Sequence, residues 1–77
     1  MTAANVNKAP SEVILEREIR EYFALIAQVM SFRREKSLTT KQFSDLANLE
    51  ESKIKALESG DYLPSNLEIV AIKRALT

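Results

Sequence analysis

The sequence predicts an all-α domain of about four helices, and three observations predict it. Of 77 residues, 45% are apolar and only three are glycine or proline, while helix-favouring Ala, Leu, Ile, Glu and Lys are abundant. Apolar side chains recur at spacings of three and four, and no stretch alternates with the two-residue period of a strand. Two capping-box spacings, Thr39 to Gln42 and Ser65 to Glu68, mark helix starts inside the chain. A chain of this length supports one small core.

The elements follow in order. Residues 1–10 are small and polar, with only Val6 to bury, and read as a flexible arm ending at Pro10; the folded domain is expected over 11–77. Ser11 is a good N-cap, and nothing from Glu12 to Lys36 breaks a helix. Leu15, Ile19, Phe23, Ile26 and Met30 form its apolar stripe, widened by Val13, Ile14, Tyr22, Leu25, Val29 and Phe32. Unbroken, that helix spans roughly 37 Å, longer than so small a domain is wide. The segment 11–24 is therefore expected to need a cover of its own.

A second helix runs from the Thr39 cap to about Ala47 and is expected to bury Phe43, Leu46 and Ala47. Asn48 tolerates the left-handed backbone that ends it. A third, from about Glu50 to Ser59, buries Ile54 and Leu57 and stops at Gly60. After the loop Asp61–Pro64, a last helix from the Ser65 cap to about Ala75 is expected to bury Leu67, Val70, Ala71 and Leu76.

Composition removes several chemistries. With neither cysteine nor histidine, the chain has no disulfide, thiolate nucleophile, imidazole base or usual zinc set, so a binding protein without cofactor or metal is expected rather than an enzyme. No apolar run reaches membrane-span length, and MTAANVNKAP lacks the charged-then-apolar order of a secretory signal, so a cytoplasmic protein is expected. Eleven basic residues balance eleven acidic ones, so any attraction to a polyanion has to be local. Arg33, Arg34 and Lys36 cluster, as do Lys53 and Lys55. Residues 38–61 carry Lys41, Lys53 and Lys55 against Asp45, Glu50, Glu51, Glu58 and Asp61, a net acidic stretch.

Two short helices joined by a tight turn, with a long helix before and another after, make a helix-turn-helix pattern. The stretch RREKSLTTKQFSDLANLEESKIKALESGDYLPSNLEIVAIKRAL, residues 33–76, resembles the Cro and phage-repressor (Xre-type) family. In order it has a basic end to the first helix, Leu-Thr opening the second, apolar Phe43, a turn near Asn48 and Leu49, and Ile54 inside the third. LESG, a proline and an amphipathic helix follow. The resemblance implies a lambda-repressor-like domain acting as a small sequence-specific transcriptional regulator on double-stranded DNA, as a homodimer.

It also implies roles for residues. Arg33 matches a first-helix arginine that pairs with the acid ending the recognition helix, here Glu58. Thr39, Thr40 and Lys41 match phosphate-contacting positions at the start of the second helix. Glu51, Ser52 and Ala56 match positions facing base edges, with Lys53 and Lys55 beside them and Arg34 and Lys36 completing a basic edge. The chain departs from the pattern at Asn48 (usually glycine), Ser44 (usually alanine), Ala47 (usually leucine) and Glu50 (usually a Ser or Thr cap). The family's fifth helix is missing, and Ile14, Leu15, Ile19, Tyr22 and Phe23 of the added N-terminal segment either dimerise in its place or refill the core.

Glu50 and Glu51 leave two readings open. Glu51 accepts a hydrogen bond from a cytosine amino group while Lys53 and Lys55 hold phosphate. Alternatively, the glutamates mark a helix-turn-helix fold that has lost DNA and binds a protein partner, like an anti-regulator or antitoxin.

Overall fold

The computed structural model describes residues 10–77, with side chains from Glu16 onward. The expectations for the arm and Val6, and for the side chains of Ser11, Val13, Ile14 and Leu15, lie outside the described residues. Those residues form four helices and no strand: α1 (Pro10–Lys36), α2 (Thr40–Ala47), α3 (Glu51–Glu58) and α4 (Asn66–Ala75). The architecture is all-α, with α2, a tight turn and α3 in helix-turn-helix order. Because α1 starts at Pro10, Ser11 lies within its first turn and is not its cap. A proline is well placed there, since its missing N–H is one that helix starts leave unbonded anyway.

One device closes the first three helices. At the end of α1 the backbone of Ser37 turns left-handed (φ 55°) and the Leu38 N–H donates to the Arg33 carbonyl at 2.8 Å. Asn48 (φ 56°) does the same after α2, with Leu49 N–H donating to Ser44 at 3.0 Å. Gly60 (φ 77°) repeats it after α3, with Asp61 N–H donating to Ala56 at 2.8 Å. These are Schellman closures, which satisfy carbonyls that a helix end would otherwise orphan. Both capping boxes form, Thr39 with Gln42 on α2 and Ser65 with Glu68 on α4. Glu50 caps α3 by backbone position alone, its side chain making no capping bond.

The core is Leu25, Ile26 and Val29 of α1, Phe43 and Ala47 of α2, Ile54 and Leu57 of α3, and Ile72 of α4, with Tyr22, Phe32, Leu49, Tyr62, Ile69, Ala75 and Leu76 packed around it. Phe43 is fully buried, its ring edge-on to Phe32 at 5.9 Å. Ser44, standing where the family resemblance favours alanine, is also fully buried; its hydroxyl donates to the Lys41 carbonyl at 2.6 Å and so costs no unmade hydrogen bond.

Three burial expectations need correction. The face of α1 turned to the core is that of Tyr22, Leu25, Ile26, Val29 and Phe32, whereas Ile19, Phe23 and Met30 of the main stripe are exposed. The Arg33 pair with Glu58 and the Tyr22 bond to the loop fix this phase. On α4, Leu67 is 84% exposed and Val70 is exposed too. Glu68 turns toward α3 and the loop, which brings Ile69 and Ile72 inward and rolls Leu67 outward at about 100° per residue. On α2, Leu46 is 58% exposed, because Phe43, Ser44 and Ala47 already fill the inward face.

Among the described residues no helix is long and apolar enough to cross a membrane. The described residues measure 46 × 22 × 21 Å, elongated because α1, about 40 Å at the usual rise, outruns the other three helices.

Candidate nucleic-acid interface

Two ion pairs hold the frame of the candidate site. Arg33 grips Glu58 through two parallel bonds, Nε to Oε2 at 2.7 Å and Nη2 to Oε1 at 2.5 Å, and its Nη1 donates to the Leu38 carbonyl at 3.1 Å. One guanidinium thus ties the end of α1 to the end of α3 and to the link that starts α2. The hydrogen bond that Arg33 donates to the Glu58 carboxylate, helped by the carboxylate's charge, raises the Arg33 pKa against the opposing effect of partial burial. Removing the carboxylate strands a guanidinium that cannot shed its proton. Glu58→Ala is expected to cost about 1–3 kcal/mol in urea unfolding, against under about 0.5 kcal/mol for the exposed Glu35→Ala. Equal midpoints for the two variants refute this role for the pair.

The second pair joins α3 to α4. Lys53 Nζ lies 2.6 Å from Glu68 Oε2, and Glu68 Oε1 accepts from the Tyr62 hydroxyl and from the Ser65 N–H at 2.9 Å. Lys53 also sits 5.9 Å from the Tyr62 ring centre, within cation–π range. Behind it, Tyr22 of α1 donates to the Tyr62 carbonyl at 2.9 Å. With the Lys53 bond first, then those from Tyr62 and Ser65, the Glu68 carboxyl is held down to about 2, while the same carboxylate raises Lys53 and Tyr62.

A carboxyl depressed in the folded state contributes stability that is full above its ordinary value of 4.5 and is lost as pH falls toward 2. Glu68→Gln is therefore expected to flatten the fall of melting temperature between pH 4.5 and 2 relative to the parent. Parallel acid limbs for the two proteins refute it.

The N-terminal turns of α2 and α3 meet at a third contact. Thr40 Oγ1, at the first residue of α2, donates to Glu51 Oε2, at the first residue of α3, at 2.7 Å. Lys55 Nζ approaches the same oxygen at 3.7 Å, and Lys41 pairs with Asp45 at 3.1 Å. These contacts join Thr40, Glu51 and Lys55 at one corner, with Lys41 and Ser52 next to them in sequence; Ser52, Lys41 and Lys55 are exposed and Thr40 and Glu51 half-buried. Glu51 latches two helix starts together, placing its charge where both helix dipoles are positive.

The remaining candidates are more dispersed. Ala56 is half-buried within α3. Arg34 and Lys36 lie on the last turn of α1, across the Ser37–Thr39 link from Thr40, with Lys36 Nζ 6.0 Å from the Phe32 ring centre. Ile19 and Phe23 are exposed on α1, while Tyr22 faces Tyr62 and packs on the core. Sequence reading missed Tyr62, and it took Glu68 for a cap alone. The single available signal was the proximity of an aromatic residue to the Ser65 box. No protein-family model, curated protein or solved structure matches this chain.

Proposed function

We propose that this protein is a small sequence-specific DNA-binding regulator of repressor type, an Xre-like helix-turn-helix protein and not an enzyme, acting in the cytoplasm as a homodimer. The observation that carries the reading is the corner where Thr40 bonds Glu51. In a helix-turn-helix the start of the first short helix meets phosphate, and the N-terminal part of the second enters the major groove. A bond joining those two helix starts holds Thr40, Lys41, Ser52 and Lys55 in one constellation of the kind that geometry requires. The mechanism is occlusion: α3 lies in the groove and excludes other proteins from the site.

Both lysines of this corner have acidic partners, yet both pairs remain compatible with DNA. Lys41–Asp45 is an exposed pair at 3.1 Å, a kind worth little in water, and Lys55 is an exposed lysine held only loosely to the half-buried Glu51 at 3.7 Å, so phosphate competes for both ammonium groups. The same pairing favours a second reading, in which the neutralised corner docks an acid-tolerant protein partner. A salt series of binding to duplex genomic fragments separates the two. A complex that weakens steeply with salt and favours some fragments supports the regulator. A folded protein that binds no duplex at low salt leaves the protein-docking module.

A further inference from the structure

On α1, Ile19, Phe23 and Met30 are 46%, 59% and 38% exposed, and Ala27 is exposed among them. At about 100° per residue these four fall within one stripe of roughly 80°. Glu16 and Arg34 stand eighteen positions apart, about five whole helical turns, and so share one azimuth within that stripe, between those of Phe23 and Ala27. The inward face of α1 is already occupied by the domain's own core. The stripe is a separate surface beside it.

We propose that α1 pairs antiparallel with α1 of a second copy of this chain, about a two-fold axis that crosses the exposed stripe at the height of residue 25. In this register Phe23 of each copy packs over Ala27 of the other, Ile19 lies beside Met30, and Glu16 lies opposite Arg34.

The pattern itself selects the occupant, because a two-fold pairing requires one surface to complement itself. Reversing the helix about residue 25 sets the largest side chain against the smallest, apolar against apolar, and acid against base at both ends. A parallel pairing brings Phe23 onto Phe23, Glu16 onto Glu16 and Arg34 onto Arg34, with like charges repelling. Exposed ion pairs add little affinity of their own; here they choose the orientation while the apolar stripe supplies the binding. This inference rests on the proposed homodimer and is independent of DNA binding.

Three measurements on the full chain test it. Sedimentation equilibrium is expected to find a dimer whose Kd weakens at least tenfold in Phe23→Glu, with helical circular dichroism and melting retained because the residue is exposed. Arg34→Glu is expected to weaken the dimer severalfold, and Glu16→Arg combined with Arg34→Glu to restore it. Since the chain has no cysteine, a spin label on Glu35→Cys is unique. Antiparallel pairing about residue 25 separates the two labels by about 30 Å along the axis, whereas parallel pairing holds them within about 20 Å. A short label distance, or failure of the charge swap to restore binding, overturns the antiparallel register while leaving a homodimer standing. A monomer at high micromolar concentration, or a stripe that binds only a different protein, overturns the inference and the homodimer together.

Discussion

Phe43→Ala is expected to lower stability by about 3–5 kcal/mol in urea unfolding, the range for a buried phenylalanine whose site cannot collapse. Phe43 is fully buried in the core and meets Phe32 of α1 edge-on. A domain of this size has few kcal/mol to lose. The variant is therefore expected to be largely unfolded at 25 °C, and α2 with its half of the candidate interface goes with it. Leu46→Ala, three residues along the same helix, is the internal control. With Leu46 58% exposed, its truncation is expected to change stability by less than about 0.5 kcal/mol. Similar losses for both variants refute the phase given to α2.

That contrast shows where the sequence was legible. Helix starts and stops were readable because they depend on residues within a few positions of each other: Thr39 with Gln42, Ser65 with Glu68, and the left-handed Asn48 and Gly60. Ser37 ends α1 in the same conformation yet carried no signal, since serine is not a residue that favours it. Helix phase was less legible. Leu46, Leu67 and Val70 are apolar at helical spacing but exposed; Phe43, Ser44 and Ala47 already fill the inward face of α2, and on α1 and α4 polar bonds between distant segments fix the rotation. Tyr22 to Tyr62 spans forty residues and Lys53 to Glu68 spans fifteen, and nothing local in either segment announces its partner.

The candidate site divides the same way. The Arg33 match to Glu58 came from the family resemblance, and the two side chains do meet in a bidentate pair. The residues at the α2–α3 corner were named individually, but their mutual bonds were not foreseen. In the sequence alone, Glu51 reads as a cytosine reader or as the mark of a fold that has lost DNA. Its carboxylate is instead engaged by Thr40 and Lys55, which gives the acid at the start of α3 a structural task before any partner arrives.

The proposed interface predicts a ranking among lysines that composition alone does not. Lys53 is held at 2.6 Å by a Glu68 carboxylate that is itself mostly enclosed, whereas Lys41 and Lys55 are exposed and loosely paired. Phosphate exchanges easily with the loose pairs and poorly with the tight one. Lys41→Gln combined with Lys55→Gln is therefore expected to weaken binding to every duplex by about ten- to a hundredfold at low salt and to reduce the salt slope by about 2. Lys53→Gln is expected to act mainly on stability, and Ser52→Ala to change which sequences are preferred without changing the slope. Glu51→Gln separates the two roles of that acid. As a latch alone it keeps sequence preference and gains affinity as a negative charge leaves the interface, whereas a cytosine reader loses discrimination at one base pair. The assay is fluorescence anisotropy with selected and random duplexes across a salt range. An unchanged slope in the Lys41/Lys55 double variant removes this corner from the DNA contact, and a parent protein that is folded yet silent toward all duplexes transfers the corner to a protein partner.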